Sequence, residues 1–326
     1  MTRRYHSGTH VKTATIGHLY FHAPCFDGMA SAVLMWDFCE ARCAWRSATL
    51  HPVNYEIRPQ WLATTLDHPN AVVDFLYHRD ADIWADHHLT TFLSDEVEQH
   101  YRNRSGPSVF YDNLSGSCAE LIWHHLESSF GYRNDRYRRL VEWAAKLDAA
   151  KYRSVDEAVH ARSPALRIAR TLALDDDRRY ATYLVKQLKE HDIAQVAAMP
   201  RVQRRLNVSQ LRVKRGLRRL RESFHVLPDG ILTFDVDTTD VIVNRYAPYL
   251  LAPKAPYVVG ILRSADGVKV TAMRNPWLVP GVAALGKILE QFGGGGHGPV
   301  GSVVLDRKST RLNSSHSEIS RMPSSA

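Results

Sequence analysis

The chain has 326 residues, 44% of them apolar and 23% charged, and a formal net charge of +8. That length and apolar share are enough to bury a core in each of two domains and exclude a disordered or fibrous protein, while the basic balance favours anionic partners such as nucleotides or nucleic acid. No apolar run approaches the roughly 20 residues that span a bilayer, and the basic start MTRRYHSGTHVKTATIG lacks the apolar stretch of a secretory leader, so a cytoplasmic protein with no membrane partner is expected. The four cysteines, at 25, 39, 43 and 118, form no CxxC pair, which fits reduced thiols better than a disulfide framework or a zinc knuckle.

In chain order, ATIGHLYFH (residues 14 to 22) is an apolar strand-like run that ends at His22. The turn APCFDG and the helical stretch MASAVLMWDFCEA follow. Asp27, just before Gly28, is placed to cap this helix, and the loop puts His22, Cys25 and Asp27 where a ligand would meet the helix N-terminus. A plain cap and a ligand role are both open at this point. Residues 48 to 53 read as a second strand and Pro59 to Leu66 as a short helix. The stretch AVVDFLYHRDADIWADHH, residues 71 to 88, holds two short apolar runs. One delivers Asp74; the other delivers Asp86, His87 and His88. Such runs suit buried parallel strands whose carboxyl ends open into a crevice, and carboxylates and imidazoles converging there suit a metal. The βαβα alternation predicts a parallel sheet.

After His88, Thr90 or Thr91 can cap a helix running through about Tyr101, and SVFYDN reads as another strand. Apolar residues spaced by three and four predict helices over Ser117 to Phe130 and Asn134 to Ala150. Asp148 lies near the end of the second, where the helix dipole disfavours an acid, so either a metal or water is its partner. Residues 155 to 224 are almost wholly helical in pattern, with Pro164 and Pro200 near helix starts. Residues 201 to 221 hold nine Arg/Lys and no acid. This basic stripe either lines a groove for a single-stranded phosphodiester backbone or is a solvated face. From Phe224 the composition turns β-rich: HVLPDGILTFDV, APYVVGILRS, an ADG hairpin turn and VKVTAMRN. A helix, VPGVAALGKILEQF, and GGGGHGPVGSVVL close the fold. The glycine run is either a flexible loop or a set of amides that approach a phosphate closely, with His297 and Arg274 near it in sequence. Residues 306–326 carry no apolar periodicity, resemble a translated sequencing adapter, and are read as a non-native tail.

Taken in order, HAPCFDGMASA, VVDF, ADHH, KLDAAKY and GGGGHGPVGS resemble the motif set of the DHH phosphoesterase family with its DHH-associated C-terminal domain, over roughly residues 15 to 305. The resemblance implies an α/β fold: a parallel-sheet catalytic domain (1–154), a helical connector (155–224) and a smaller α/β substrate-binding domain (225–305). It implies a hydrolase holding two divalent ions, usually manganese, with magnesium, zinc or iron as alternatives. Asp27, Asp74, His87 and Asp148 would complete one metal site, and His22 and Asp74 would serve the other. Cys25 stands about where the family commonly has an aspartate; it either joins that site as a softer donor or packs beneath the loop. Asp86 would fix the tautomer of a histidine and His88 would face the phosphate. Gly294, Gly295, Gly296, His297 and Arg274 would hold the far phosphate or nucleotide. The implied reaction is hydrolysis of phosphodiester bonds in short oligonucleotides or small, including cyclic, dinucleotides. The alternatives are a pyrophosphatase or polyphosphatase, or a nucleic-acid-binding protein with a decayed metal site.

Overall fold

The structure is a computed structural model that describes residues 15–104, 106–265, 267–278 and 283–305, with the side chain of His297 outside the description. The sequence-read tail therefore lies outside the described residues. Two compact units emerge, one formed by residues up to Tyr152 together with Arg162–Leu206, the other by Arg153–Ala161 together with residues from Asn207 on. The helices read as a connector are thus divided between the units.

The first unit is built on five parallel strands, β1 (Thr15–His22), β2 (Trp45–Val53), β3 (Asn70–Val73), β4 (Ile83–Asp86) and β5 (Val109–Tyr111), in the order β2-β1-β3-β4-β5. Between β1 and β2 runs α1 (Phe26–Arg42), which lies on the sheet. Its residues are buried almost all round, as expected of a helix with apolar groups on every face. Alternation along the strands sends Tyr20, Val72 and Trp84 into a cluster on one face. There they meet Trp61 from a 3-10 helix (Tyr55–Ala63) and Val97 from α2 (Asp95–Asn103). Leu19, Phe21, Val73 and Ala85, the alternate positions, are also fully buried. Helices α3 (Cys118–Phe130), α4 (Arg138–Asp148), α6 (Pro164–Leu172), α7 (Arg178–Glu190) and α8 (Ile193–Ala198) complete the unit; α3, α4 and α7 pack on α1. The short α5 (Val155–His160) belongs to the second unit.

Several local expectations shift. The helix after His88 starts at Asp95, not after Thr90 or Thr91, because the Thr91 carbonyl accepts from the Tyr77 amide at 3.1 Å and holds that segment as a loop, leaving Ser94 to cap through the Val97 amide. Pro59 sits inside a 3-10 helix rather than opening an α-helix. Residues 285–290 form a single short helix, α11 (Leu285–Glu290), shorter than the apolar pattern suggests; residues 279–282 lie outside the described residues.

In the second unit, part of α9 (Pro200–Ser223) and α10 (Pro248–Leu251) accompany β6 (His225–Val226), β7 (Leu232–Asp237), β8 (Tyr257–Ser264), β9 (Gly267–Arg274), β10 (Gly295–His297) and β11 (Val300–Leu305). The strand order is β10-β11-β9-β8-β7-β6, antiparallel except for the parallel pair β7 and β8. The glycine run forms the β10–β11 hairpin. A Cβ on Gly296, at φ +149°, would lie 2.2 Å from the Val300 carbonyl oxygen, so close backbone packing demands this glycine whatever else it does. Among the described helices none is long and apolar enough to cross a membrane. On α9, Arg201 and Arg205 lie over the Tyr183 and Tyr180 rings, at 4.6 and 4.2 Å from the centroids. Arg219 donates to the carbonyls of Asp237 and Thr239. Part of the basic stripe is thus used inside the fold.

Trp84 ties this core to the site described below, because its indole N–H donates to the Phe75 carbonyl at 2.9 Å, one residue beyond Asp74. Replacing it in Trp84→Phe strands that buried carbonyl, and urea unfolding should show a loss of about 1–3 kcal/mol; an unchanged midpoint would mean that the bond adds nothing.

Candidate metal centre

A 2-1-3-4-5 parallel sheet changes winding direction between β1 and β3, and the crevice beyond the carboxyl ends of those strands is where such sheets bind ligands. His22 ends β1, Asp74 follows β3, and Asp86, His87 and His88 lie at or just beyond the end of β4. The β1–α1 loop lies against them: a Cβ on Gly28 would sit 2.1 Å from the His22 carbonyl oxygen and 3.1 Å from Asp74 Oδ2, so only glycine permits α1 to start this close. Asp74 itself has φ +56°, a left-handed conformation that costs energy and that Asp tolerates better than most residues. Its amide donates to the Ala85 carbonyl at 2.9 Å, which holds the turn.

Asp27 does not cap α1; Cys25 takes that position without a side-chain bond, and Asp27 occupies the first turn. Its carboxylate instead accepts from the amides of Cys118 and Ala119, at 2.7 and 3.0 Å. The acid is thus held by the N-terminus of α3, whose unpaired amides suit an anion. Asp148, the last residue of α4, brings Oδ2 to 3.4 Å from His87 Nε2. Asp27 and Asp74 stand 3.5 and 3.7 Å from the same nitrogen. The other nitrogen of His87 donates to the Ser115 carbonyl at 3.3 Å, since a carbonyl only accepts. Nε2 of a neutral ring is therefore a lone pair facing three carboxyl groups, an arrangement that a cation would turn from repulsion into coordination. His22 Nδ1 lies 3.4 Å from Asp74 Oδ2, and His22, Asp74 and Cys25 bring one donor atom each within 4.8 Å of one another. His88 donates from Nδ1 to Asp86 Oδ1 at 2.8 Å.

Buried polar atoms are normally hydrogen-bonded. Here His22 Nδ1, both Asp74 oxygens, Asp86 Oδ2 and His87 Nε2 are buried without such a partner. Burial raises the Asp74 carboxyl well above its usual range, with Asp27 next in effect. Burial, then Asp148, raises Asp27 to about 6. Burial lowers His22 to about 4, helped by the charge of His88, and raises the Cys25 thiol to about 12, with Asp27 adding to it. Burial opposes a charge on His88, but the bond to Asp86 and nearby acids outweigh it, and its pKa is raised. The donor set of imidazoles, carboxylates and a thiol fits divalent metal.

Of the residues singled out in the sequence, His22, Cys25, Asp27, Asp74, Asp86, His87, His88 and Asp148 come together in this one cluster. Arg274, Gly294, Gly295, Gly296 and His297 belong to the second unit and gather at one end of its sheet, where the Arg274 amide donates to the Pro299 carbonyl at 2.8 Å. Sequence reasoning missed three contributors: the Ser115 carbonyl, the α3 amides, and Tyr55. The Tyr55 ring packs edge-on to His22 and His88, at centroid distances of 5.0 and 6.5 Å. Ser117 with Glu120 was a legible helix start; nothing local paired it with Asp27.

The raised Asp27 carboxyl predicts a pH effect. Its proton-bound form is favoured in the fold, so its contribution is complete below about pH 4 and is lost as pH rises through about 6. His22 works the other way but is common to both proteins compared. With divalent ions chelated, the stability of Asp27→Asn relative to the parent should rise by on the order of 3 kcal/mol between pH 4 and pH 7.5, on top of a pH-independent loss, because Asn offers one acceptor where Asp27 meets two amides. Adding Mn2+ at pH 7.5 should remove that relative gain. Thermal melts with a pH-independent difference would contradict this account.

No protein-family model matches the sequence, and no curated protein matches it. Solved structures do. A pGpG-specific phosphodiesterase, PggH from Vibrio cholerae, superposes with a TM-score of 0.67 at 15% identity, over 91% of this chain and 96% of that one. A DHH domain described as from a member of the S1p family of ribosomal proteins gives 0.56 at 13% identity, over 92% and 85%. RecJ from Thermus thermophilus, in complex with Mn2+, gives 0.54 at 15% identity, over 93% of this chain but 51% of its own. With the five-stranded parallel sheet and its crevice in the order described, this chain has the fold of the DHH-domain proteins.

Proposed function

We propose that the protein is a DHH-type, divalent-metal-dependent phosphodiesterase that hydrolyses phosphodiester bonds in short oligonucleotides or small, including cyclic, dinucleotides. The observation that carries this reading is the set of buried, unpartnered donor atoms on His22, Asp74, Asp86 and His87 at the carboxyl ends of β1, β3 and β4. Asp27, Asp74, His87 and Asp148 would hold one ion; His22 and Asp74 would hold the other, with Cys25 within reach as a further donor. The carboxylate-rich first set suits Mn2+ or Mg2+, and the thiol draws the second towards softer metals. When bound, such a pair supplies Lewis acidity towards a phosphoryl oxygen and a water made nucleophilic near neutral pH.

The protein's own groups do the rest. The Ser115 carbonyl keeps a proton on His87 Nδ1 and so leaves Nε2 as a donor. Asp86 fixes His88 by Nδ1 and raises its pKa, so that His88 places a positive N–H where charge develops on the phosphoryl group. Tyr55 packs edge-on against the His22 and His88 rings and braces both. In the second unit, Arg274, Gly295, Gly296 and His297 would take a phosphate or nucleotide, while the Gly294 amide already donates to the Leu289 carbonyl at 2.9 Å. A small substrate is favoured by the likeness to the pGpG-specific enzyme, which covers both chains almost fully, whereas the Thermus thermophilus RecJ chain is about twice as long.

The test is Mn2+-supported hydrolysis of linear and cyclic dinucleotides, longer oligonucleotides and pyrophosphate. Dinucleotides should turn over fastest and Asp74→Asn should abolish turnover. Pyrophosphate turning over fastest would select the pyrophosphatase reading, and full activity in Asp74→Asn would remove the metal-centre reading altogether. His88→Gln should cut kcat by about 100- to 1,000-fold, in the range of a lost charge-stabilising donor, while the Mn2+-induced rise in Tm persists.

A further inference from the structure

A second cluster of metal-ligating side chains sits on the same sheet, apart from the crevice. His18 lies four residues before His22 on β1 and points to the same face, about 13 Å lower along the strand at about 3.3 Å per residue. His51 comes from β2, where it pairs in register with Tyr20, and Asp67 from the segment that leads into β3. His18 Nδ1 is 3.1 Å from His51 Nε2 and 3.5 Å from Asp67 Oδ2, and one donor atom from each of the three lies within 4.8 Å of the others. Ligands about 2.0–2.1 Å from a tetrahedral ion stand about 3.3 Å apart, so these spacings match the edges of such a site. We propose that His18, His51 and Asp67 bind one borderline transition-metal ion, Zn2+ or a similar divalent cation.

The aim of these groups is already set. The Tyr20 ring stacks on His51 with centroids 4.4 Å apart and planes within 12°. The Tyr20 hydroxyl accepts from the Asp67 amide at 3.1 Å, which holds the Asp67 segment over the imidazoles. Asp82 accepts from the Asn70 amide at 2.7 Å and fixes the start of β3 just beyond. Asp67 is 66% exposed and His18 22%, so an ion can enter from solvent and complete its shell with water. Two imidazoles and one carboxylate select zinc, cobalt or nickel over magnesium or calcium. The bound ion would join the edge strand β2 to β1 and to the start of β3. None of the three residues belongs to the catalytic cluster, so this site stands or falls independently of the proposed activity.

The test is zinc stoichiometry of the full chain by equilibrium dialysis, with Co2+ visible absorption as a second report of tetrahedral coordination. His18→Gln and His51→Gln should each lose one equivalent of zinc and the matching cobalt bands, with unchanged circular dichroism and unchanged Mn2+-supported activity. Asp74→Asn should retain that equivalent. Should a histidine variant misfold, the exposed Asp67→Asn serves instead and should weaken zinc binding at least about tenfold. An unchanged stoichiometry in the histidine variants, or loss of the equivalent in Asp74→Asn alone, overturns the proposal and leaves a hydrogen-bonded histidine pair.

Discussion

Two carboxyl groups sealed from water, Asp27 and Asp74, each approach within 3.7 Å of the lone-pair nitrogen of His87, with Asp148 closing on it from the end of α4. Like charges 4 Å apart repel by about 4 kcal/mol at an effective dielectric of about 20, and desolvation adds to that cost. Burial, and then the neighbouring acids, raises both carboxyl groups above their usual range. Bound divalent charge would remove the same penalty without protons. The stability of this cluster and its response to pH thus turn on one electrostatic constraint.

The rest of the first unit serves to impose that constraint. Strand order opens a crevice between β1 and β3; Gly28 lets α1 begin against the His22 carbonyl; Asp74 accepts a left-handed backbone to aim its carboxylate inward. Two amides at the start of α3 hold Asp27 as a helix terminus holds any anion. The aromatic cluster around Trp61 and Trp84 backs the same strands and, through the Phe75 carbonyl, the turn that carries Asp74.

The sheet extends the same logic beyond the crevice. His18, Tyr20 and His22 are successive residues on one face of β1, so period-two alternation sets two histidine clusters on that face, with the Tyr20 ring between them. The upper one is rich in buried acids and needs charge compensation; the lower one is partly exposed and rich in imidazole. The two clusters thus differ both in donor chemistry and in burial.

Residue order alone determined the βαβα alternation, the parallel sheet, the β-rich second unit and the strand ends carrying Asp74, Asp86, His87 and His88, because these follow from local periodicity and apolar runs. It also marked Asp27 and Asp148 as acids with unsettled partners. Only the tertiary structure decided that Asp27 is held by the amides of α3, that Asp148 meets His87, that the glycine run is a hairpin, and that Tyr55 and the Ser115 carbonyl belong to the site. Each of these is a contact between segments far apart in the chain, set by how helices and strands pack. Local pattern shows which groups a segment offers; only packing sets which distant group shares their burial, and burial gives those charges their energy.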